Sequence, residues 1–275
     1  MSELTQRWRL GRDSHRARAA DFRPGDYGVE LIEGDREARA FVEAHHYSGS
    51  LPAARLRVGL YRRRAWITPE LVGVAVYSVG VQPAAPERWA GVPAAHAVDL
   101  GRLVLLDDVP YCAETWFLAR ASAALRATLP EVRAVLSYSD PMPRVTEAGA
   151  VVMPGHWGAC YQAKGARFVG RTAPRWMHLD RYGRVLADRS LSKILNDERG
   201  GDGAERKLVA LGAPIRAAHE DRRAWLARAL AEGPFRRVRH PGQLVYLFGP
   251  GGTAAGLPAD ACPALPYPKR HQDAA

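Results

Sequence analysis

The stretch 97–139 constrains the fold more than any other part of the chain. Residues 97–106 (AVDLGRLVLL) form a short apolar run, which predicts a buried strand. After Pro110, Phe117, Leu118, Ala121, Ala124, Leu125 and Leu129 recur at helical spacing and stop before Pro130, which predicts a helix over 113–129 with one apolar face. Residues 132–139 return to a short apolar run. Asp140-Pro141 ends it, because proline has no amide hydrogen to give to a ladder. Strand, helix and strand in this order make a βαβ unit, and a chain built around one is an α/β protein.

The remaining elements are read around that unit. Ala38, Phe41, Val42 and His45 predict a short helix over 33–46, and LVGVAVYSVGV at 71–81 predicts an interior strand. Pro83, Pro86 and Pro93 place the next segment in a surface loop. A short helix over 155–164 leads into a strand near 167–170. Residues 175–180 and 185–187 read as a hairpin with Gly183 in its turn. Three helical patches, 190–198, 203–211 and 220–231, precede a last strand at 243–248. The expected organisation is a basic arm at 1–25, a catalytic core at 26–188, a basic helical insert at 189–235, a last core strand at 236–249 and a disordered tail at 250–275.

With 47% hydrophobic residues over 275 positions, the chain has ample material for a core. Cys112, Cys160 and Cys262 are widely separated, which argues against a zinc ribbon and against a disulfide scaffold and suits a reducing cytoplasm. The beginning of the chain has no apolar signal region, and the longest apolar stretch is too short to span a bilayer, so no membrane partner is expected. The balance of 39 Lys+Arg against 29 Asp+Glu points to a polyanionic partner, with nucleic acid foremost. Residues 181–240 carry 14 Lys+Arg against 8 Asp+Glu, and Lys193, Arg199, Arg206 and Lys207 of the helical insert are the expected phosphate contacts.

Four motifs carry the candidate chemistry. They are His46-Tyr47-Ser48-Gly49; Arg102-Leu103-Val104-Leu105 followed by Glu114-Thr115-Trp116-Phe117-Leu118; Ser137-Tyr138-Ser139-Asp140-Pro141; and Gly155-His156-Trp157-Gly158 with Tyr161-Gln162-Ala163. In order and spacing they resemble the core of the Mom family of phage DNA-modification proteins. The resemblance implies a GNAT-like acyltransferase core, a mixed central sheet flanked by helices, here with a basic helical insert before the last strand. It also implies carbamoylmethylation of the N6 amine of adenine in double-stranded DNA, which protects phage DNA from restriction endonucleases in the host cytoplasm. Carried over residue by residue, the family's functional tyrosine falls on Tyr47, its aspartate on Asp140 and its later tyrosine on Tyr161. Thr115 stands where the family usually has serine. Acetyl-CoA and iron enter as cofactors only through this resemblance.

The residues also have a reading of their own. Asp140 closes a buried strand, and ligands of open α/β sheets bind at the carboxyl ends of strands. His46 and Tyr47 place an imidazole and a phenol at a helix end, where they can take a proton from a poorly nucleophilic amine. His46, Tyr47 and Asp140 are also the donors that would hold iron. His156 and Trp157 lie between glycines, which lets backbone approach a ligand and the indole stack on a flipped base. Glu114 and Thr115 open the long helix, whose N-terminus attracts anions, although Asp107 and Asp108 before it would repel a pyrophosphate. Ser48, Ser137 and Tyr138 complete the substrate-binding set. Two other functions stay open at this point: an N-acyltransferase of a small molecule or aminoacyl substrate, and a non-catalytic DNA-binding protein.

Overall fold

The computed structural model describes residues 22–46, 48–64, 66–106, 108–110 and 112–269. Tyr47, Asp107, nearly all of the expected arm and the last six residues of the tail lie outside the described residues. In chain order the elements are β1 (Tyr27–Leu31), α1 (Arg36–His45), β2 (Ala54–Arg64), β3 (Ile67–Ser78), α2 (Ala85–Ala90), β4 (Ala97–Leu105), α3 (Ala113–Thr128), β5 (Ala134–Ser139), β6 (Arg144–Val145), β7 (Val151–Met153), α4 (Ala159–Ala163), β8 (Arg167–Arg171), β9 (Arg175–Leu179), α5 (Asp188–Leu195), α6 (Gly201–Ala210), α7 (Arg222–Glu232), β10 (Arg236–His240) and β11 (Leu244–Phe248). They fall into two compact units: Met1–Pro141 with Gly155–Thr172 and Gln243–Ala275, and Met142–Pro154 with Ala173–Gly242.

The first unit is built on a seven-stranded sheet in the order β1-β2-β3-β4-β5-β11-β8. All neighbours are antiparallel except β4 and β5, the pair expected from the βαβ unit. The expected mixed central sheet flanked by helices is therefore present. Side chains alternate across each strand. Val98 and Leu100 of β4, Val135 of β5 and Tyr246 of β11 share one core with Phe117, Leu118, Ala121 and Leu125 of α3 and Tyr161 of α4. On the opposite face, Ala97, Ala134, Leu136, Val245 and Leu247 pack with Ala90 of α2 and Ala261. Val74, Val76 and Val104 meet Ala38, Phe41 and Val42 of α1.

In the second unit, α5, α6 and α7 enclose a separate core of Leu186, Ile194, Ala204, Leu208, Trp225, Leu226 and Phe235. The Asp221 carboxylate accepts hydrogen bonds from the amides of Arg223 and Ala224 at 2.9 and 3.0 Å, capping α7 where its first turn lacks intrahelical acceptors.

Several expectations change. The Pro-rich loop contains α2, with Pro86 in its first turn, where a missing amide hydrogen costs nothing. The hairpin expected over 175–187 is short, a bridge from Leu179 to Val185 with the Asp180 amide on Arg184 O and the Leu186 amide on His178 O, while β9 forms its longer ladder with β10. The stretch 236–249 is likewise two strands, β10 beside β9 and β11 in the central sheet. Beyond residue 249 the tail is tied down as far as Tyr267. The Leu265 amide donates to Phe168 O at 2.8 Å and the Tyr267 hydroxyl to Ala166 O at 2.7 Å. None of the described helices is long and apolar enough to cross a membrane.

Candidate functional site

The register of the parallel pair positions the site. β4 and β5 are matched only at Ala97–Ala134, Val98–Val135 and Asp99–Leu136, after which the strands part company. From there β4 continues against β3 and β5 against β11, and the carboxyl-end halves of the two parallel strands are no longer paired with each other; ligands of open α/β sheets bind at such strand ends. Ser137 and Ser139 of β5 have the same strand parity as Val135 and so belong to the face carrying α3 and α4. Both are fully buried, and among the described residues neither hydroxyl has a hydrogen-bond partner. Unmet hydroxyls of this kind in a core are uncommon.

Asp140 follows directly and is 5% exposed. Its carbonyl accepts the His156 amide at 2.6 Å, bringing the Gly155–Gly158 segment to the end of β5. That segment is clamped. Trp157 O accepts from the Tyr246 hydroxyl at 2.7 Å and from Gln162 Nε2 at 2.9 Å, and Gln162 Nε2 also reaches the Tyr246 oxygen at 3.0 Å. Burial pushes the Tyr246 phenol up, so it stays protonated as a donor. Gly158 has φ 71°, and an added Cβ would lie 2.5 Å from the Tyr246 ring and 2.9 Å from Ser139 Oγ. Only glycine satisfies both the left-handed backbone and the close approach. The Gly158 amide donates to His156 Nδ1 at 3.1 Å, so the neutral imidazole carries its proton on Nε2. Tyr161, 4% exposed, stacks between His156 and Tyr246 with ring centroids 5.7 and 5.5 Å away.

The His46 segment is held separately. His46 caps α1 through its amide, and its Nδ1 receives the Ser48 amide at 3.1 Å with Ser48 Oγ at 2.8 Å. Arg102 of β4 ties the following residues down by donating to Ser50 O at 2.8 Å and to Ser50 Oγ at 3.1 Å. The segment after His46 thus meets the splayed half of β4, and Asp140 ends β5. Both belong to the carboxyl end of the parallel pair.

Other expected site residues are placed differently. Thr115 Oγ1 donates to Cys112 O at 3.2 Å in the first turn of α3, a local bond that occupies the hydroxyl. Glu114 lies in the same turn. Tyr138 has the opposite strand parity to Ser137 and Ser139 and packs against the second core cluster. Asp108, expected to repel a pyrophosphate, is held by Arg62 through two hydrogen bonds of 2.8 Å, which offset its charge. Lys193, Arg199, Arg206 and Lys207 belong to the second unit. Among the described residues no group of three or more His, Cys, Asp or Glu side chains is arranged to hold a metal.

Sequence reading missed Asp99. This carboxyl is 8% exposed in the middle of β4, and burial pushes its pKa up to about 6, partly offset by the Val81 amide. Its only signal was an acidic residue inside the apolar run AVDLGRLVL. Gln162, which stands in the fourth motif, was given no role there, and Tyr246, its partner in clamping the Trp157 backbone, carried no signal of its own.

No curated protein matches the chain. Among solved structures, a tandem GNAT protein from the clavulanic acid biosynthesis pathway, determined without AcCoA, is similar over 82% of this chain and 98% of that one, at 9% identity and a TM-score of 0.40. The family model of the Mom proteins matches residues 26–213, which include all four motifs and the whole Asp140–Tyr161 site, and the chain belongs to the Mom protein family.

Proposed function

We propose that this protein is a transferase that modifies the N6 amine of adenine in double-stranded DNA. Family membership supports a Mom-type transferase. The observation that carries the finer reading is the convergence of the buried Asp140 with the His156–Tyr161 segment at the carboxyl end of β5. An exocyclic amine is a poor nucleophile and must lose a proton as the new bond forms. His46 and His156 both accept an amide hydrogen on Nδ1, so their neutral rings present N–H groups rather than basic nitrogens. The proton acceptor in this reading is the Asp140 carboxylate. His156 orients the base or the oxygen that gains charge. The target adenine must leave the duplex, since its amine is paired inside the helix, and Trp157 offers a flipped base an aromatic face.

An acyl-CoA donor fits one part of this site. The backbone of β4 and β5 beyond Asp99 and Leu136, no longer paired across that seam, would hold its amide-bearing arm, and the donor would supply the activated carbon. Iron has no support, since among the described residues no group of three or more His, Cys, Asp or Glu side chains is arranged to hold a metal, and no step is routed through it.

The test is mass spectrometry of nucleosides from DNA of cells making the native protein and the Asp140→Asn variant. A modified deoxyadenosine is expected with the native protein, reduced about a hundredfold or more in the variant, the usual scale for a general base. Unmodified nucleosides from cells containing soluble native protein would overturn the reading. CoA binding without DNA affinity would favour a small-molecule or aminoacyl N-acyltransferase instead.

A further inference from the structure

The positive charge of the second unit is not where its helices are. Residues 188–232, which contain α5, α6 and α7, hold nine Lys+Arg against eight Asp+Glu. Much of that charge is internally paired: Arg189 with Glu198, Arg216 with Glu205, Arg222 with Asp197 and Asp202, and Arg228 with Glu220 and Glu232. The flanking stretches 175–187 and 233–242, which supply β9, the following turn and β10, hold six against one, and of the six Arg175 is paired with Asp188.

The ribbon presents this charge on one face. β9 and β10 are antiparallel, with Trp176 opposite Arg239 and His178 opposite Arg237. Met177 and Leu179 turn inward and are buried, so Trp176 and His178 face outward, as do the exposed Arg237 and Arg239. Trp176 is 49% exposed. The Arg237 guanidinium sits 4.3 Å from its ring centroid and that of Arg239 5.7 Å. Among the described residues neither arginine has a carboxylate partner. In the turn after β9, Arg184 lies 5.7 Å over Tyr182, which is 51% exposed. A guanidinium resting on an aromatic face keeps its N–H edge available for phosphate oxygens, and the ring limits the rotamer freedom lost on binding. Burial and then Arg237 lower the His178 pKa, so the ring adds an uncharged polar group beside the arginines near neutral pH.

We propose that the β9–β10 ribbon, through Trp176, Arg237 and Arg239, is the surface that docks this protein on double-stranded DNA. A two-stranded ribbon is narrow enough to enter the major groove, and a paired, unneutralised arginine face complements the phosphates that line it. The proposal rests on the reading of duplex DNA as substrate, and it moves the contact surface from the expected helical cations to the ribbon.

The experiment is a fluorescence anisotropy titration of a labelled DNA duplex across a salt series. It compares the native full-length protein, Arg237→Ala/Arg239→Ala, Arg237→Lys/Arg239→Lys, and Lys193→Ala/Arg199→Ala/Arg206→Ala/Lys207→Ala, with circular dichroism as a control for folding. Each lost phosphate contact should flatten the salt slope by about 0.9. The ribbon alanine variant should therefore lose about two units of slope. Native affinity should then fall roughly twelvefold more than that of the variant between about 50 and 200 mM salt. The lysine variant should recover most of the slope, since charge is retained, and the helical variant should change it by less than one unit. Native DNA binding with an unchanged slope in the ribbon alanine variant would overturn the ribbon alone. Absence of native affinity for duplex DNA would overturn the substrate reading and the ribbon together. Equal ribbon-dependent affinity for an RNA duplex would overturn DNA as the specific occupant.

Discussion

Asp99 is the clearest case of a residue held against its solvation preference. It is 8% exposed and bordered by Gly80 and Tyr138, and the Val81 amide favours its charged form. Because its pKa in the folded protein is about 6, above the unfolded value, the folded state binds the proton more tightly. Stability contributed by this group is complete below about pH 4 and falls as the pH rises toward 6, where the unfolded chain has already ionised. The penalty above that window is about 3 kcal/mol at most. Asp99→Asn, isosteric with the protonated acid, should melt at a higher temperature than the native protein at pH 7.5 and at the same temperature near pH 4. A native advantage at pH 7.5 would mean that the carboxylate has work to do, and Tyr138, whose phenol is pushed up by burial and then by Asp99, is the first group to test beside it.

Among the elements, α7 shows how little of a helix's stability resides in its sequence pattern. Its buried residues, Trp225, Leu226 and Ala229, are few, and its start depends on the Asp221 cap. Asp221→Ala should raise hydrogen exchange of the amides in 222–226 about fivefold, the equivalent of roughly 1 kcal/mol, while Asp221→Asn should not. Unchanged exchange in the alanine variant would assign the helix start to tertiary packing. The elements legible in the sequence were those marked at both ends by local chemistry. α3 sits between Pro110 and Pro130, and β5 stops at Asp140-Pro141, so periodicity and punctuation agreed. β2 was missed although Leu56, Val58 and Leu60 alternate as a strand should, because arginines interrupt the apolar signal. For β9 only the nearer partner was legible: the turn at Gly183 brings Val185 back against Leu179, whereas β10, on its other edge, lies more than fifty residues away. The site divides in the same way: Asp140, His156 and Tyr161 stood in motifs at element ends, whereas Asp99 and Tyr246 depend on strand pairings that no local pattern reveals.

For the molecule as a whole, the remaining question is what protects the ends of a seven-stranded open sheet. β8 is an edge strand, and an uncovered edge carries unpaired amides and carbonyls that recruit other chains. Here the C-terminal segment covers it. The Leu265 amide takes Phe168 O, Tyr267 takes Ala166 O, and Arg167 of β8 reaches the carbonyls of Ala261 and Cys262. The Cys262 amide in turn bonds Trp89 O, and Ala261 is buried among Ala90, Val169 and Leu247, so the strap is anchored to α2 as well as to the edge. Four or five hydrogen bonds, at about 0.5–1.5 kcal/mol each, and some apolar burial offset the entropy of ordering the segment. Ending the chain after Gly256 should lower stability by about 3 kcal/mol and expose the β8 edge, so the truncated protein should melt earlier and self-associate on size-exclusion chromatography. Tyr267→Phe, which removes one bond and no packing, should cost only about 1 kcal/mol and leave the protein monodisperse. A truncated chain that melts with the native protein and elutes at the same volume would show that the edge needs no strap.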